Sequence, residues 1–137
     1  MSRRDARRHI FNLMFQNEFN KEINTHESIE TYRNEYENFE RKDILFIKNE
    51  YTGILDNVDK IDSIIDKFSI GWSVDRLSTV DKAILRIAVY EIMFDDDIPN
   101  KVSVNEAVEL AKEFSEDKAP SFINGVLGKV VRYKEAN

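Results

Sequence analysis

The chain has 137 residues, of which 42% are hydrophobic and 34% are charged, and its formal net charge is −6. This length and composition indicate a soluble, globular protein with one hydrophobic core. The chain contains no cysteine, which excludes disulfides, thiolate metal sites and cysteine nucleophiles and is compatible with a reducing cytosol. No apolar run approaches the ~18–20 residues that span a bilayer, and the N-terminus lacks the apolar region of a signal peptide.

The first eight residues, here called the basic N-terminal segment, differ in charge from the rest of the chain. They contain one aspartate and four arginines, Arg3, Arg4, Arg7 and Arg8, and carry about +3. The remaining residues therefore carry −9, the difference between −6 and +3. The planar guanidinium group binds phosphate bidentately. The segment thus indicates a site for a polyanion, although an ordinary solvated terminus has the same composition.

The spacing of apolar residues predicts a first helix from about Arg4 to Phe19. At about 100° per residue, one face of this helix is apolar and a second face is polar. The apolar face consists of Ala6, Ile10, Leu13 and Met14. A third face is basic at its start and aromatic beyond, with Arg4, Arg8, Phe11, Phe15 and Phe19. This third face is either a second contact with the core or a surface for RNA and a protein partner.

Further helical spacing predicts helices over Ser28–Phe39, Lys42–Asn57 and Ile61–Phe68. None of these segments alternates as a strand would. The break that follows, around residues 69–77, contains Gly71 and Trp72. We expect the boundary between two subdomains of one domain there, at about residues 1–70 and 71–137.

Helix-start signals continue through the second half. Ser78 and Asp81 fit an N-terminal cap of a helix over Thr79–Phe94, which is apolar nearly all round and hence central. Arg86 and Glu91 lie within it and need partners if they are buried. A capping box predicts another helix start over Ser103–Glu106.

The last helix is predicted to begin at Pro120 and Ser121. Gly125 and Gly128 lie inside it, and glycine at such positions often permits close approach by a neighbouring helix or a ligand. Phe122, at its start, faces either the core or RNA.

No catalytic or metal-binding pattern occurs in the sequence. The two histidines, His9 and His26, lack zinc-ligand spacing, and no Walker, dinucleotide-binding or nucleophile-elbow motif is present. The aspartate run Asp95–Asp97 lacks the glycine and distal glutamate of a calcium loop. We therefore expect no enzyme, no cofactor and no metal.

Six segments together resemble the NusB family of bacterial transcription antitermination factors. They are Arg3–Arg7, Leu13–Gln16, Val80–Glu91, Ile98–Pro99, Val104–Lys112 and Phe122–Leu127. A family of ribosomal-RNA methyltransferases has a similar N-terminal domain. This chain ends where their catalytic domain would begin, which favours the free-standing factor.

The resemblance implies an all-α fold of about seven helices in two packed bundles. It also implies a cytoplasmic protein that binds the boxA element of ribosomal-RNA leader transcripts as a heterodimer with the ribosomal protein NusE, within the antitermination complex on RNA polymerase. The RNA-binding residues carried over are Arg3, Arg4, Arg7, Arg8, Lys118 and Phe122. The residues carried over for the partner protein are Phe15 and Asp81.

Two departures from the family pattern bear on these sites. The family commonly has tyrosine where this chain has Phe15, so a hydroxyl contact with the partner is absent. An acid commonly follows the Asn-Gly-Val-Leu segment, where this chain has Gly128. Two other classes stay open from the sequence: a helical protein–protein adaptor without an RNA role, and an enzyme whose carboxylates meet in space.

Overall fold

The computed structural model describes residues 1–19, 29–32, 34 and 39–137. The complete α-helices in these ranges are α1 Arg3–Phe19, α2 Arg41–Asp56, α3 Val58–Phe68, α4 Thr79–Phe94, α5 Asn100–Phe114 and α6 Ala119–Ala136. A short 3-10 helix covers Val74–Arg76, and residues 29–32 and 34 are also helical. These described ranges contain no strand, so the predicted all-α class is confirmed. None of their helices is long and apolar enough to cross a bilayer.

The predicted helix bounds agree with the structure to within about three residues, except for the second helix. Half of that helix, predicted over Ser28–Phe39, lies outside the described residues. Residues 29–32 and 34 are helical, and Phe39 is not. The last helix carries proline in its first turn, as expected, because proline has no N–H to lose at that position.

The chain divides into two compact units, Met1–Asp56 and Asn57–Asn137. The break around residues 69–77 lies inside the second unit, because α3 packs against α4 and α6. In the first unit, α1 packs against α2. The predicted apolar face of α1 is buried there, with Ile10 fully inaccessible and Leu13 and Met14 nearly so.

Helix α4 is the centre of the second unit and packs against α3, α5 and α6. The two charged residues inside α4, Arg86 and Glu91, both have hydrogen-bond partners, as expected for charges within a central helix. Arg86 donates from Nε and Nη2 to the two carboxylate oxygens of Asp62, at 2.9 and 2.8 Å. The Ser103 hydroxyl donates to Oε1 of the buried Glu91 at 2.8 Å. Both charged residues therefore have structural roles.

One expectation about the C-terminal helices is wrong. Helix α5 begins at Asn100, directly after Pro99, so Ser103 lies one turn inside the helix and caps nothing. Among the described residues, no neighbouring helix lies close to the glycines of α6. A Cβ built at Gly125 meets no atom within 4 Å, and one at Gly128 meets only the side chain of Arg132 at 3.5 Å.

Candidate nucleic-acid interface

The basic N-terminal segment forms the first turns of α1. The Ser2 hydroxyl accepts a hydrogen bond from the Asp5 backbone N–H at 3.0 Å, which caps the helix. The side-chain hydrogen bond with Ser2, followed by the contact with Arg8, lowers the pKa of Asp5. Arg8 donates from Nη1 to the Asp5 carboxylate at 2.6 Å. Asp5 therefore stays ionised and offsets the charge of Arg8.

Arg3 and Arg7 lie beside one aromatic side chain of α2. The guanidinium carbon of Arg3 lies 4.0 Å from the centre of the Phe46 ring, and that of Arg7 lies 5.7 Å from it. Arg3 is exposed, whereas Arg7 retains only 4% of its accessible surface. The burial of Arg7 disfavours the direct contact with RNA that was predicted for it.

The burial of Arg7 follows from its angular position on α1. At about 100° per residue, Arg7 lies about 20° from Met14 and about 60° from Ile10, both of which belong to the buried face. The sequence contained this signal. The charge of the basic N-terminal segment nevertheless suggested a surface position for all four arginines. The exposed cations there are Arg3 and Arg4, with Arg8 partly exposed.

The aromatic row of α1, formed by Phe11, Phe15 and Phe19, passes from the core to the surface. Phe11 is buried at 4% exposure, Phe15 is half-buried, and Phe19 is 71% exposed. The Phe15 ring lies 6.2 Å from the Phe11 ring and 5.1 Å from the Phe19 ring, measured between centroids. The third face of the helix is therefore part of the core at Phe11 and accessible at Phe19.

A groove in the second unit contains three further predicted site residues. Its volume is about 420 Å³. Its lining consists of Trp72, Arg76, Leu77, Ser78, Asp81, Glu116, Lys118, Ala119 and Phe122. Lys118 and Phe122, predicted to bind RNA, therefore lie in the same groove as Asp81, predicted to bind a protein. Phe122 is partly exposed at this groove rather than buried in the core.

Asp81 has two structural contacts within this unit. Its backbone N–H donates to the Ser78 hydroxyl at 3.1 Å, which confirms the predicted N-terminal cap of α4. Its carboxylate accepts a hydrogen bond from the Ser115 hydroxyl at 2.6 Å, and Ser115 is the C-cap residue of α5. The side chain is half-buried, so one carboxylate both joins two helices and borders the groove.

Two lining residues, Trp72 and Arg76, were not predicted as functional from the sequence. Trp72 is 53% exposed, and its loop is held in place on both sides. The Ser69 hydroxyl donates to the Trp72 carbonyl at 2.5 Å, and the Val74 N–H donates to the Asp66 carboxylate at 2.6 Å. Gly71 adopts a φ of 83°, which glycine tolerates without strain. A tryptophan directly after a glycine, in a predicted break between helices, was the available signal.

The predicted RNA-binding residues thus fall into two groups. Arg3, Arg4 and Arg8 belong to α1 in the first unit, and Lys118 and Phe122 border the groove in the second unit. No group of three or more potential metal ligands occurs in the part of the chain that the structure describes. The arrangement offers cations and exposed aromatic rings, which suit contacts with phosphates and bases.

Comparison with known proteins matches nearly the whole chain to one protein family. The model of the NusB family matches residues 4–132. The chain is 44% identical to the transcription antitermination protein NusB of Clostridium novyi over 133 residues, which covers 96% of this chain and 99% of that protein.

Solved structures of NusB proteins share the fold. T. maritima NusB superposes with a TM-score of 0.89 at 32% identity, covering 96% of this chain and 92% of the other. A crystal structure of the antitermination factors NusB and NusE in complex with dsRNA contains a chain that matches with a TM-score of 0.86 at 27% identity, covering 96% of each chain.

Proposed function

Because the chain belongs to the NusB family, we propose that it is a transcription antitermination factor that binds the boxA RNA of ribosomal-RNA leader transcripts together with the ribosomal protein NusE. The observation that carries this proposal is the similarity, over 96% of each chain, to a protein solved with NusE and dsRNA. The protein then acts by binding rather than by catalysis, and it works in the cytoplasm, where bacterial transcription takes place.

Charge supports RNA binding through two small surfaces rather than across the whole protein. The net charge of −6 disfavours contact with a polyanion in general. Arg3 and Arg4 are exposed on α1, and Lys118 is exposed at the groove. Cations supply the salt-dependent part of RNA affinity, whereas sequence preference in a single strand needs stacking and base-edge contacts. A basic partner such as NusE would extend these limited positive surfaces.

For the protein partner, we propose contacts through Phe15 and Asp81. Phe15 is half-buried, and its ring contacts the ring of the exposed Phe19. The aromatic row therefore has apolar surface that a partner can reach. Asp81 is half-buried, and one of its carboxylate oxygens already accepts from Ser115. A partly desolvated carboxylate suits a contact with a basic protein.

The RNA surface is tested by fluorescence anisotropy with labelled boxA RNA over a range of salt concentrations. The variant replaces Arg3, Arg4 and Arg8 with alanine and is measured with and without NusE. We expect weaker binding and a log–log salt slope that is lower by up to ~0.7 for each phosphate of a single strand that the protein no longer neutralises.

A matched control removes the same charge from elsewhere in the first unit. Arg41, Lys42 and Lys48 are also exposed there, and their triple alanine variant should retain the wild-type slope. Equally weakened binding by the two triple variants would indicate a response to net charge alone. Unchanged RNA affinity in the α1 variant would refute the RNA surface. Intact pairing with NusE without any RNA binding would instead identify a protein–protein adaptor.

The partner surface is tested at Asp81 by calorimetric titration with NusE. Asp81→Asn keeps an oxygen that can accept from Ser115, so it should fold stably and lose only the charge. Asp81→Lys adds repulsion toward a basic partner and should weaken pairing more than Asp81→Asn does. Thermal unfolding of both variants separates the capping role from the interface role. A dissociation constant for Asp81→Lys within about twofold of wild type would exclude Asp81 from the interface.

A further inference from the structure

The groove in the second unit combines aromatic and cationic side chains on opposite segments of the chain. Trp72 and Arg76 come from the segment before α4, and Lys118 and Phe122 come from the start of α6. We propose that this groove binds one unpaired RNA nucleotide, whose base stacks on Trp72 and Phe122 and whose phosphate contacts Arg76 and Lys118. This inference rests on the proposed RNA-binding function and adds a defined subsite to it.

The size and aromatic lining of the groove suit a single nucleotide. Sites for small ligands have volumes of roughly 300–1,000 Å³, and the groove has about 420 Å³. Neither Trp72 nor Phe122 contacts another aromatic ring in the described part of the chain. The backbone on either side of the Trp72 ring is held by Ser69 and Asp66. Because this backbone is held, stacking of a base on the exposed ring orders less of the chain than stacking on a mobile loop would.

The charges of the groove leave its two cations available. Neither Arg76 nor Lys118 forms an ion pair with any residue that the structure describes. The Asp81 carboxylate instead accepts a hydrogen bond from Ser115, and Glu116 is exposed. Two cations beside two acids give the groove little net charge. We therefore expect stacking to supply most of the affinity of the subsite, with one phosphate contact adding orientation.

This charge balance favours an unpaired nucleotide over a duplex. A base can stack on a protein ring only after it leaves its own stack, which single-stranded RNA allows at low cost. Duplex RNA would present mainly phosphates, and those would meet Glu116 as well as the two cations. The subsite should therefore discriminate single-stranded from double-stranded RNA.

The chain provides its own probe for this test, because Trp72 is its only tryptophan. The protein is titrated with single-stranded boxA RNA, and separately with the same RNA annealed to its complement. The complex with NusE is titrated likewise, with the Trp72→Phe complex as the fluorescence background. We expect the single strand to quench Trp72 emission at saturation and the duplex to leave it unchanged.

Substitutions then measure the contribution of each side of the groove. Trp72→Ala should weaken single-strand binding about 5- to 150-fold, the range expected for one stacked base. Trp72→Phe should retain most of the affinity. Phe94→Ala, which removes another exposed ring of the second unit, should have no effect.

The cations are tested through the salt dependence of binding. Arg76→Ala combined with Lys118→Ala should lower the salt slope by up to ~0.7, because the two cations contact the single phosphate of the subsite. Lys101→Ala, at another exposed lysine of the second unit, should leave the slope unchanged. Circular dichroism of each variant confirms that it is folded.

The outcomes separate this inference from the proposed function. Wild-type RNA binding by anisotropy, without quenching of Trp72 and with equal affinity for Trp72→Ala, would overturn the subsite and leave the proposed function intact. Quenching by NusE alone, with loss of NusE pairing in Trp72→Ala, would identify the groove as a protein-binding site and overturn the subsite as well. No RNA binding by wild type, even with NusE, would remove both proposals.

Discussion

Replacing Arg7 with alanine should destabilise the protein much more than replacing Arg4. Arg7 is 4% exposed and its guanidinium lies 5.7 Å from the Phe46 ring centre, whereas Arg4 is exposed. The change removes two buried methylenes, at ~0.8 kcal/mol each, and a partly desolvated cation–π interaction of ~0.5–2 kcal/mol. The expected decrease in stability is about 2–4 kcal/mol for Arg7→Ala. For Arg4→Ala we expect less than about 1 kcal/mol, as for other surface charges.

The measurement combines thermal unfolding with RNA binding. For a chain of this length, a decrease of about 2–4 kcal/mol lowers the melting temperature by on the order of 10 °C, which circular dichroism resolves. Arg7→Met is the companion variant, because it keeps most of the buried aliphatic volume and removes the charge. It should recover part of the stability. The salt slope of RNA binding should fall for Arg4→Ala and stay unchanged for Arg7→Met, since a buried guanidinium cannot reach a phosphate.

One combination of results would refute this reasoning. If Arg7→Ala melts within about 2 °C of wild type and also lowers the salt slope by ~0.7, Arg7 contacts phosphate directly. The quadruple alanine variant of the N-terminal arginines would then be a clean RNA-binding mutant. Because Arg7 is buried, we expect that quadruple variant to combine a weaker RNA surface with a less stable fold. The triple variant that retains Arg7 is therefore the correct test.

Three further predictions concern stability. Ser103→Ala should cost about 1–3 kcal/mol in chemical denaturation, because it removes a hydrogen bond to the buried Glu91 carboxylate; a cost below about 0.5 kcal/mol would show that this bond is dispensable. Burial lowers the pKa of His9 below its ordinary 6.5, against the opposing charge of Asp5. The unfolded chain therefore binds the proton more readily, so stability should fall as the pH drops below 6.5 toward the folded-state pKa. His9→Gln should reduce this slope in urea titrations, and an identical slope in both proteins would contradict the assignment. Gly125→Ala should raise stability by about 0.5–1 kcal/mol, because the site is helical, exposed and open, and a lower melting temperature would contradict this.

Most helix positions could be predicted from the sequence because they depend on local patterns. The cap formed by Ser78 and the apolar periodicity of α4 are properties of adjacent residues, and the structure has both. The capping box at Ser103 failed for a tertiary reason. Pro99 already starts α5 one turn earlier, and the Ser103 hydroxyl then donates to Glu91 of another helix. A local pattern cannot indicate that a distant buried acid needs that hydroxyl.

The candidate site also has features that the sequence indicated and features that depend on the tertiary structure alone. The all-α class could be inferred from the helical spacing of apolar residues, and the basic N-terminal segment from its residue types. The family was indicated by the resemblance of six segments. Which charges are available to a ligand depends instead on the packing of the helices. That packing buries Arg7 beside Phe46. It also brings Trp72 within one groove of Phe122, 50 positions later in the chain. The position of Arg7 on α1 indicated its burial, but the proximity of Trp72 and Phe122 results from the packing of whole helices, so no local pattern could reveal it.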